Sequence, residues 1–124
     1  MAENDLKIIV KAKELAVHSF RLTSNINRYP KKYRHSLGDR IQLRSLDIYD
    51  TLLEANRTNN VTNKYLRCEK ITKAITYCDE LLFYIELSME LTDQTKDSIQ
   101  YWSKLVTDVK YMAIKWRSTE KERN

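Results

Sequence analysis

Glycine and proline are almost absent from the chain: Gly38 and Pro30 are the only examples among its 124 residues. Sheet-rich folds need these residues at many turns, whereas a helical bundle of this length needs only about three connections. The scarcity of both therefore favours an all-α fold. No apolar run approaches the roughly 20 residues that span a bilayer, and the N-terminal segment is charged. We therefore expect neither a membrane span nor a signal peptide.

Cysteine is also scarce, occurring only as Cys68 and Cys78. Ten residues along one helix place the two thiols about 15 Å apart, which is too far for a disulfide. Both fall at apolar-periodic positions, so we predict free, buried thiols and a reducing, cytoplasmic location.

Motifs that carry catalysis or metal binding are missing. The two histidines, His18 and His35, fall on different predicted elements, and a lone histidine is usually structural. The sequence contains no H-E-x-x-H, C-x-x-C, glycine-rich phosphate loop or G-x-S-x-G. We predict a protein that is not an enzyme and has no metal, no cofactor and no small-molecule substrate. A metal-dependent helical enzyme is the minor alternative.

Helical periodicity is what the sequence does contain. Apolar residues recur every three or four positions. This periodicity is broken at Tyr29-Pro30, at residues 56–60 and at residues 92–95. The pattern predicts helices at about 4–28, 34–58, 62–91 and 96–118, with a frayed tail after residue 118. We expect one domain over residues 1–124, an antiparallel up-down-up-down four-helix bundle.

The third predicted helix has the clearest apolar repeat. One seam recurs every seven residues, at Val61, Cys68, Ile75, Leu82 and Met89, and a second runs through Ile71, Cys78 and Ile85. This heptad pattern is typical of bundle packing. A further set on the far side of the helix indicates a subunit interface, with surface tyrosines as the alternative. Its members are Leu66, Tyr77, Leu81, Tyr84 and Leu91.

Positive charge is concentrated in two stretches of a chain whose net charge is +5. We predict that these stretches contact nucleic acid or an acidic partner, with solvated helix faces as the alternative. The first comprises Arg28, Lys31, Lys32, Arg34, Arg40 and Arg44. The second comprises Lys64, Arg67, Lys70 and Lys73. In the predicted bundle the first stretch shares an end with the acidic start of the fourth helix.

Residues 29–41 read Tyr-Pro-Lys-Lys-Tyr-Arg-His-Ser-Leu-Gly-Asp-Arg-Ile. This segment resembles the aromatic-Pro-Lys, basic, Leu-Gly-x-x-Ile turn of the accessory variability determinant proteins of diversity-generating retroelements. Leu52-Leu53-Glu54-Ala55-Asn56 resembles the end of that family's second helix, and Trp116-Arg117 resembles its terminal motif. The wider relatives are four-helix proteins encoded in intervening sequences of bacterial ribosomal RNA genes.

The resemblance implies a particular role. Proteins of this family are non-catalytic partners of a retroelement reverse transcriptase, form a basic homopentameric ring and bind template RNA. They support the error-prone cDNA synthesis of mutagenic retrohoming. The resemblance thus implies a reverse transcriptase, RNA or an RNA/DNA hybrid, and further copies of the chain as partners. A structural bundle of the intervening-sequence type is the alternative. For Gly38 we expect a structural role in close helix packing or in helix-start geometry.

Overall fold

Four long helices form most of the computed structural model, which describes the backbone of residues 3–122 and the side chains of residues 7–122. The helices are α1 (Glu3–Ser24), α2 (Asp39–Arg57), α3 (Lys64–Leu91) and α4 (Lys96–Glu122). A 3-10 turn at Lys31–Tyr33 and a π-helical turn at Arg34–Gly38 lead into α2. Residues 3–122 contain no strand, which confirms the predicted all-helical class.

The helices enclose one apolar core. α1 packs against α2 and α4, and α3 packs against the same two helices. Each helix contributes fully buried aliphatic side chains, such as Leu15 from α1 and Ile48 from α2, and Trp102 of α4 is the largest fully buried side chain. Both cysteines are free and buried, and burial raises the pKa of the Cys78 thiol to about 12. The thiol is therefore protonated at neutral pH.

The core seam of α3 agrees only in part with the predicted one. Ile71, Cys78 and Ile85 are buried as expected, and so are Cys68 and Ile75 of the other predicted seam. A second buried row comprises Ala74, Leu81 and Ser88, which lie one position before Ile75, Leu82 and Met89 in each heptad. Met89 is 48% exposed, and Val61 lies before α3 and is 84% exposed, so both core predictions were wrong. The core accepts Ser88 because its hydroxyl is satisfied by Tyr29 and by the carbonyl of Tyr84.

Two helix ends also differ from the sequence prediction. α1 ends at Ser24 rather than near residue 28, since Asn25 starts a turn in which its side-chain oxygen accepts a hydrogen bond from the Asn27 amide at 3.0 Å. α4 continues to Glu122, so the predicted fraying from residue 119 is wrong as far as the description extends. The cause is a buried carboxylate: Glu120 accepts a hydrogen bond from the Trp116 indole N–H at 3.2 Å.

Gly38 joins the π-helical turn to α2 in ordinary right-handed helical geometry, with φ −59° and ψ −47°. A Cβ at this position would lie 3.4 Å from the Tyr33 carbonyl oxygen and 3.7 Å from Cε1 of Tyr29. These are normal van der Waals distances. Neither of the two predicted roles, close helix packing or helix-start geometry, therefore requires a glycine at this position.

Replacing Gly38 with alanine should accordingly stabilise the protein. A helical glycine loses more backbone entropy on folding than alanine, so Gly38→Ala should raise the free energy of unfolding by about 0.5–1 kcal/mol. Urea denaturation followed by circular dichroism measures the change, with the exposed Ser36→Ala as a control. A loss of stability in Gly38→Ala alone would show that Tyr29 cannot accommodate the added methyl group.

Candidate nucleic-acid interface

The connection between α1 and α2 combines buried anchors with exposed cations. Tyr29 is fully buried, and its hydroxyl lies 2.8 Å from Oγ of Ser88 on α3. Leu37 is buried at the other end of the connection. Between these anchors, Lys31 and Lys32 are exposed and Arg34 is partly exposed. The two anchors therefore fix the backbone that presents the cations.

We call the exposed cations on and beside this connection the basic turn. Its members are Arg28, Lys31, Lys32, Arg34 and Arg40. Within residues 7–122 no carboxylate lies within ion-pair distance of any of them, and the nearby Asp39 instead lies 3.6 Å from His35. Cations that are not neutralised by an internal ion pair are available to phosphate groups.

Two members of the basic turn have polar contacts within the protein. The Arg28 guanidinium lies 3.5 Å from Oγ of Ser98, and the backbone carbonyl of Arg28 accepts a hydrogen bond from the side-chain Nε2 of Gln94. The connection between α3 and α4, with the exposed Asp93, and the start of α4, with the exposed Asp97, therefore lie beside the basic turn. Hydrogen bonds from Arg40, and also from Arg44, lower the pKa of the Tyr84 hydroxyl.

Arg44 has a structural role, which argues against its predicted place in the interface. Its Nη1 lies 2.8 Å from Oδ2 of Asp47, and its Nε lies 3.7 Å from Oε1 of Glu80. The guanidinium also stacks over the Tyr77 ring at 5.0 Å. These contacts join α2 to α3 and neutralise the charge within the protein.

The second predicted basic stretch does not form one surface. Arg67 is only 7% exposed, and its Nη2 lies 3.5 Å from Oε1 of Glu120, so its prediction as a surface contact was wrong. Lys70 lies 3.3 Å from the Glu54 carboxylate, and Lys64 donates a hydrogen bond to the Lys121 carbonyl. Lys73 is exposed, beside Tyr77.

The predicted interface stripe on α3 is also divided. Leu81 is fully buried in the core, so its assignment to an exposed interface was wrong. Tyr77 and Tyr84 are half-buried and bind Arg44. Leu66 and Leu91, 42% and 46% exposed, lie at opposite ends of the helix. These five residues therefore do not form a continuous apolar surface.

His18 lies on the side of α1 that faces α4, where its ring makes an edge contact with Tyr101 at 5.1 Å. Burial, together with the charges of Arg28 and Arg21, lowers the pKa of this histidine. The imidazole is therefore largely neutral at pH 7. Within residues 7–122, no three His, Cys, Asp or Glu side chains converge as a metal-binding group.

Comparison with protein-family models, with curated proteins and with solved structures gives no match for the chain. None of the four helices, over their described lengths, is both long and apolar enough to cross a bilayer. The basic turn is thus the feature of the described chain that most favours a particular class of ligand.

Proposed function

We propose that the chain is a non-catalytic accessory protein of a diversity-generating retroelement. In this role it binds template RNA and the reverse transcriptase and supports error-prone cDNA synthesis in the cytoplasm. The basic turn is the observation that supports RNA binding. Its cations have no ion pair in the described chain, and Tyr29 and Leu37 anchor the backbone that presents them. The reverse transcriptase and a homopentameric assembly come from the resemblance of residues 29–41.

We further propose that successive helices run in opposite directions. Support comes from contacts in which a residue late in one helix meets a residue early in the next, and the reverse. The pairs are Thr23 with Gln42, Glu54 with Lys70, Arg44 with Glu80, and Arg67 with Glu120. With this arrangement the basic turn lies at one end of the bundle, away from the turn at residues 58–63.

Phosphate contacts make RNA binding depend on salt. Each cation that neutralises a phosphate releases a counterion, so the logarithm of the affinity falls with the logarithm of salt concentration by about 0.7 per contact for a single strand. Contacts from Lys31, Lys32 and Arg34 should contribute about 2 to that slope. The slope therefore reports how many of these cations meet the RNA backbone.

Charge reversal in the basic turn should weaken RNA binding. The triple variant Lys31→Glu, Lys32→Glu, Arg34→Glu should lose about tenfold or more in affinity for template RNA and about 2 in salt slope. Fluorescence anisotropy with labelled RNA measures both.

The matched control is Lys7→Glu, Lys115→Glu, Lys121→Glu, which reverses three exposed lysines at the start of α1 and late in α4, away from the basic turn. Both variants change the net charge from +5 to −1. Equal losses in the two variants would indicate a non-specific effect of net charge and would contradict the assignment to the basic turn.

Gene neighbourhood separates the two functional classes: a reverse transcriptase gene with a template repeat supports the proposal, and a ribosomal RNA insertion supports the structural alternative.

A further inference from the structure

An apolar groove lies between the outer faces of α1 and α2, away from the basic turn. Its volume is about 440 Å³, and its apolar lining is formed by Ala16, Val17, Phe20, Leu46 and Tyr49. Val17 and Leu46 are 38% and 41% exposed, so part of this apolar lining faces solvent. The sequence prediction placed a surplus apolar stripe on the third helix and did not identify this groove.

The groove results from a small residue between larger ones. Ala16 lies one turn before Phe20 on α1, and both face Leu46 and Tyr49 across the helix pair. A methyl group at this point leaves a depression that a larger side chain would fill. Side chains of a partner can enter such a depression, whereas a flat membrane surface would meet only its rim.

The charged residues that line the groove are two cations, and both lie on α1. Lys13 and Arg21 line it, both are exposed, and neither has an ion pair within residues 7–122. They lie eight residues apart on α1, which is about 12 Å or two helical turns. None of the described groove residues carries a carboxylate. The groove is therefore complementary to an apolar surface with negative charges spaced along it.

We propose that the groove between α1 and α2 docks an amphipathic helix of a protein partner, with apolar residues on one face and carboxylates beside them. Two turns of such a helix match the separation of Lys13 and Arg21. Its apolar residues would cover Val17 and Leu46, the usual mode by which a helix binds in a groove. This inference goes beyond the proposed function, because it concerns a protein partner and uses no residue of the basic turn.

The test uses the full chain and two synthetic helical peptides of about 14 residues, labelled with fluorescein. Both have leucines at i, i+4, i+7 and i+11; one carries glutamates beside them and the other carries lysines. Fluorescence anisotropy should show the acidic peptide binding at least about tenfold more tightly. Ala16→Phe, which fills the groove, and Leu46→Ser should each weaken that binding about tenfold, and Lys13→Glu with Arg21→Glu should reverse the preference.

The control variants are Val61→Ser, an exposed apolar residue elsewhere, and Lys115→Glu, an exposed lysine on α4; both should bind the acidic peptide like the original chain. Circular dichroism establishes that each variant is folded. Equal affinity for the two peptides, no binding of either, or an unchanged affinity in Ala16→Phe and Leu46→Ser would each overturn the proposal.

Other occupants of the groove give distinct results. Preferential binding to vesicles of phosphatidylcholine and phosphatidylserine that is lost in Leu46→Ser would assign the groove to a membrane. A change of oligomeric mass in Ala16→Phe by light scattering would assign it to a second copy of the chain. RNA affinity, measured on the same variants, should stay unchanged, so failure of this proposal is distinguishable from failure of the proposed function.

Discussion

Replacing Glu120 with alanine should lower the free energy of unfolding by about 3–5 kcal/mol. Glu120 is fully buried, and its Oε1 lies 3.5 Å from Arg67 and 3.2 Å from the Trp116 indole nitrogen. Removing the carboxylate takes away a negative charge that lies beside the buried Arg67 guanidinium. The melting temperature, followed by circular dichroism at one fixed protein concentration, should fall by about 10–20 °C.

Glu122 supplies the matched control. It lies two residues further along α4 and is exposed, so Glu122→Ala should change stability by less than about 0.5 kcal/mol. The double variant Arg67→Met, Glu120→Leu should recover most of the loss, because replacing a whole buried ion pair by apolar groups costs far less than breaking it. A loss below about 1 kcal/mol in Glu120→Ala would show that the pair does not stabilise the end of α4.

Truncating Trp102 to alanine should cost about 3–5 kcal/mol. Trp102 is the largest fully buried side chain, and its indole N–H donates a hydrogen bond to Ser19 on α1 at 3.0 Å. The variant therefore loses apolar contacts in the core and the hydrogen bond that joins α4 to α1. Urea denaturation followed by circular dichroism avoids dependence on tryptophan fluorescence, which the substitution itself changes.

Two further variants separate packing from hydrogen bonding. Trp102→Phe retains most of the apolar volume but leaves the Ser19 hydroxyl without its indole donor, so a smaller loss of about 1–3 kcal/mol is expected. Tyr101→Ala, at the neighbouring and 55% exposed position, should cost less than about 1 kcal/mol. A similar loss in Tyr101→Ala and Trp102→Ala would contradict the special role of the buried indole.

The helical class could be predicted from the sequence because it depends on properties that single residues carry. One glycine and one proline rule out many turns, and apolar residues recur at helical spacing over long stretches. The register of the α3 seam was harder to predict. Its second buried row includes the small Ala74 and the polar Ser88. Ser88 is accepted in the core because its hydroxyl binds Tyr29, 59 positions away, as well as the nearby Tyr84 carbonyl. Such pairings exist only in the folded chain.

The same limit applies to the candidate interface. Sequence alone locates a dense basic stretch but does not distinguish cations that face solvent from those that the fold uses. Arg44 and Arg67 look like their basic neighbours, yet one binds Asp47 and the other Glu120. The sequence did not indicate that Glu120 is buried, because this residue lies in a polar segment of alternating charge. The groove between α1 and α2 was also missed, because periodicity does not show that apolar residues such as Val17 and Leu46 stay partly exposed beside the buried rows.

The hydrogen bond between Tyr29 and Ser88 has a consequence for molecular recognition. It holds the backbone of the connection against α3 before any ligand arrives, and the short helical turns at residues 31–38 leave few backbone torsions free. An RNA that meets this surface therefore need not order the main chain, and most of the conformational entropy lost on binding is that of the lysine and arginine side chains. A preorganised surface of this kind can bind rapidly even when each phosphate contact is weak.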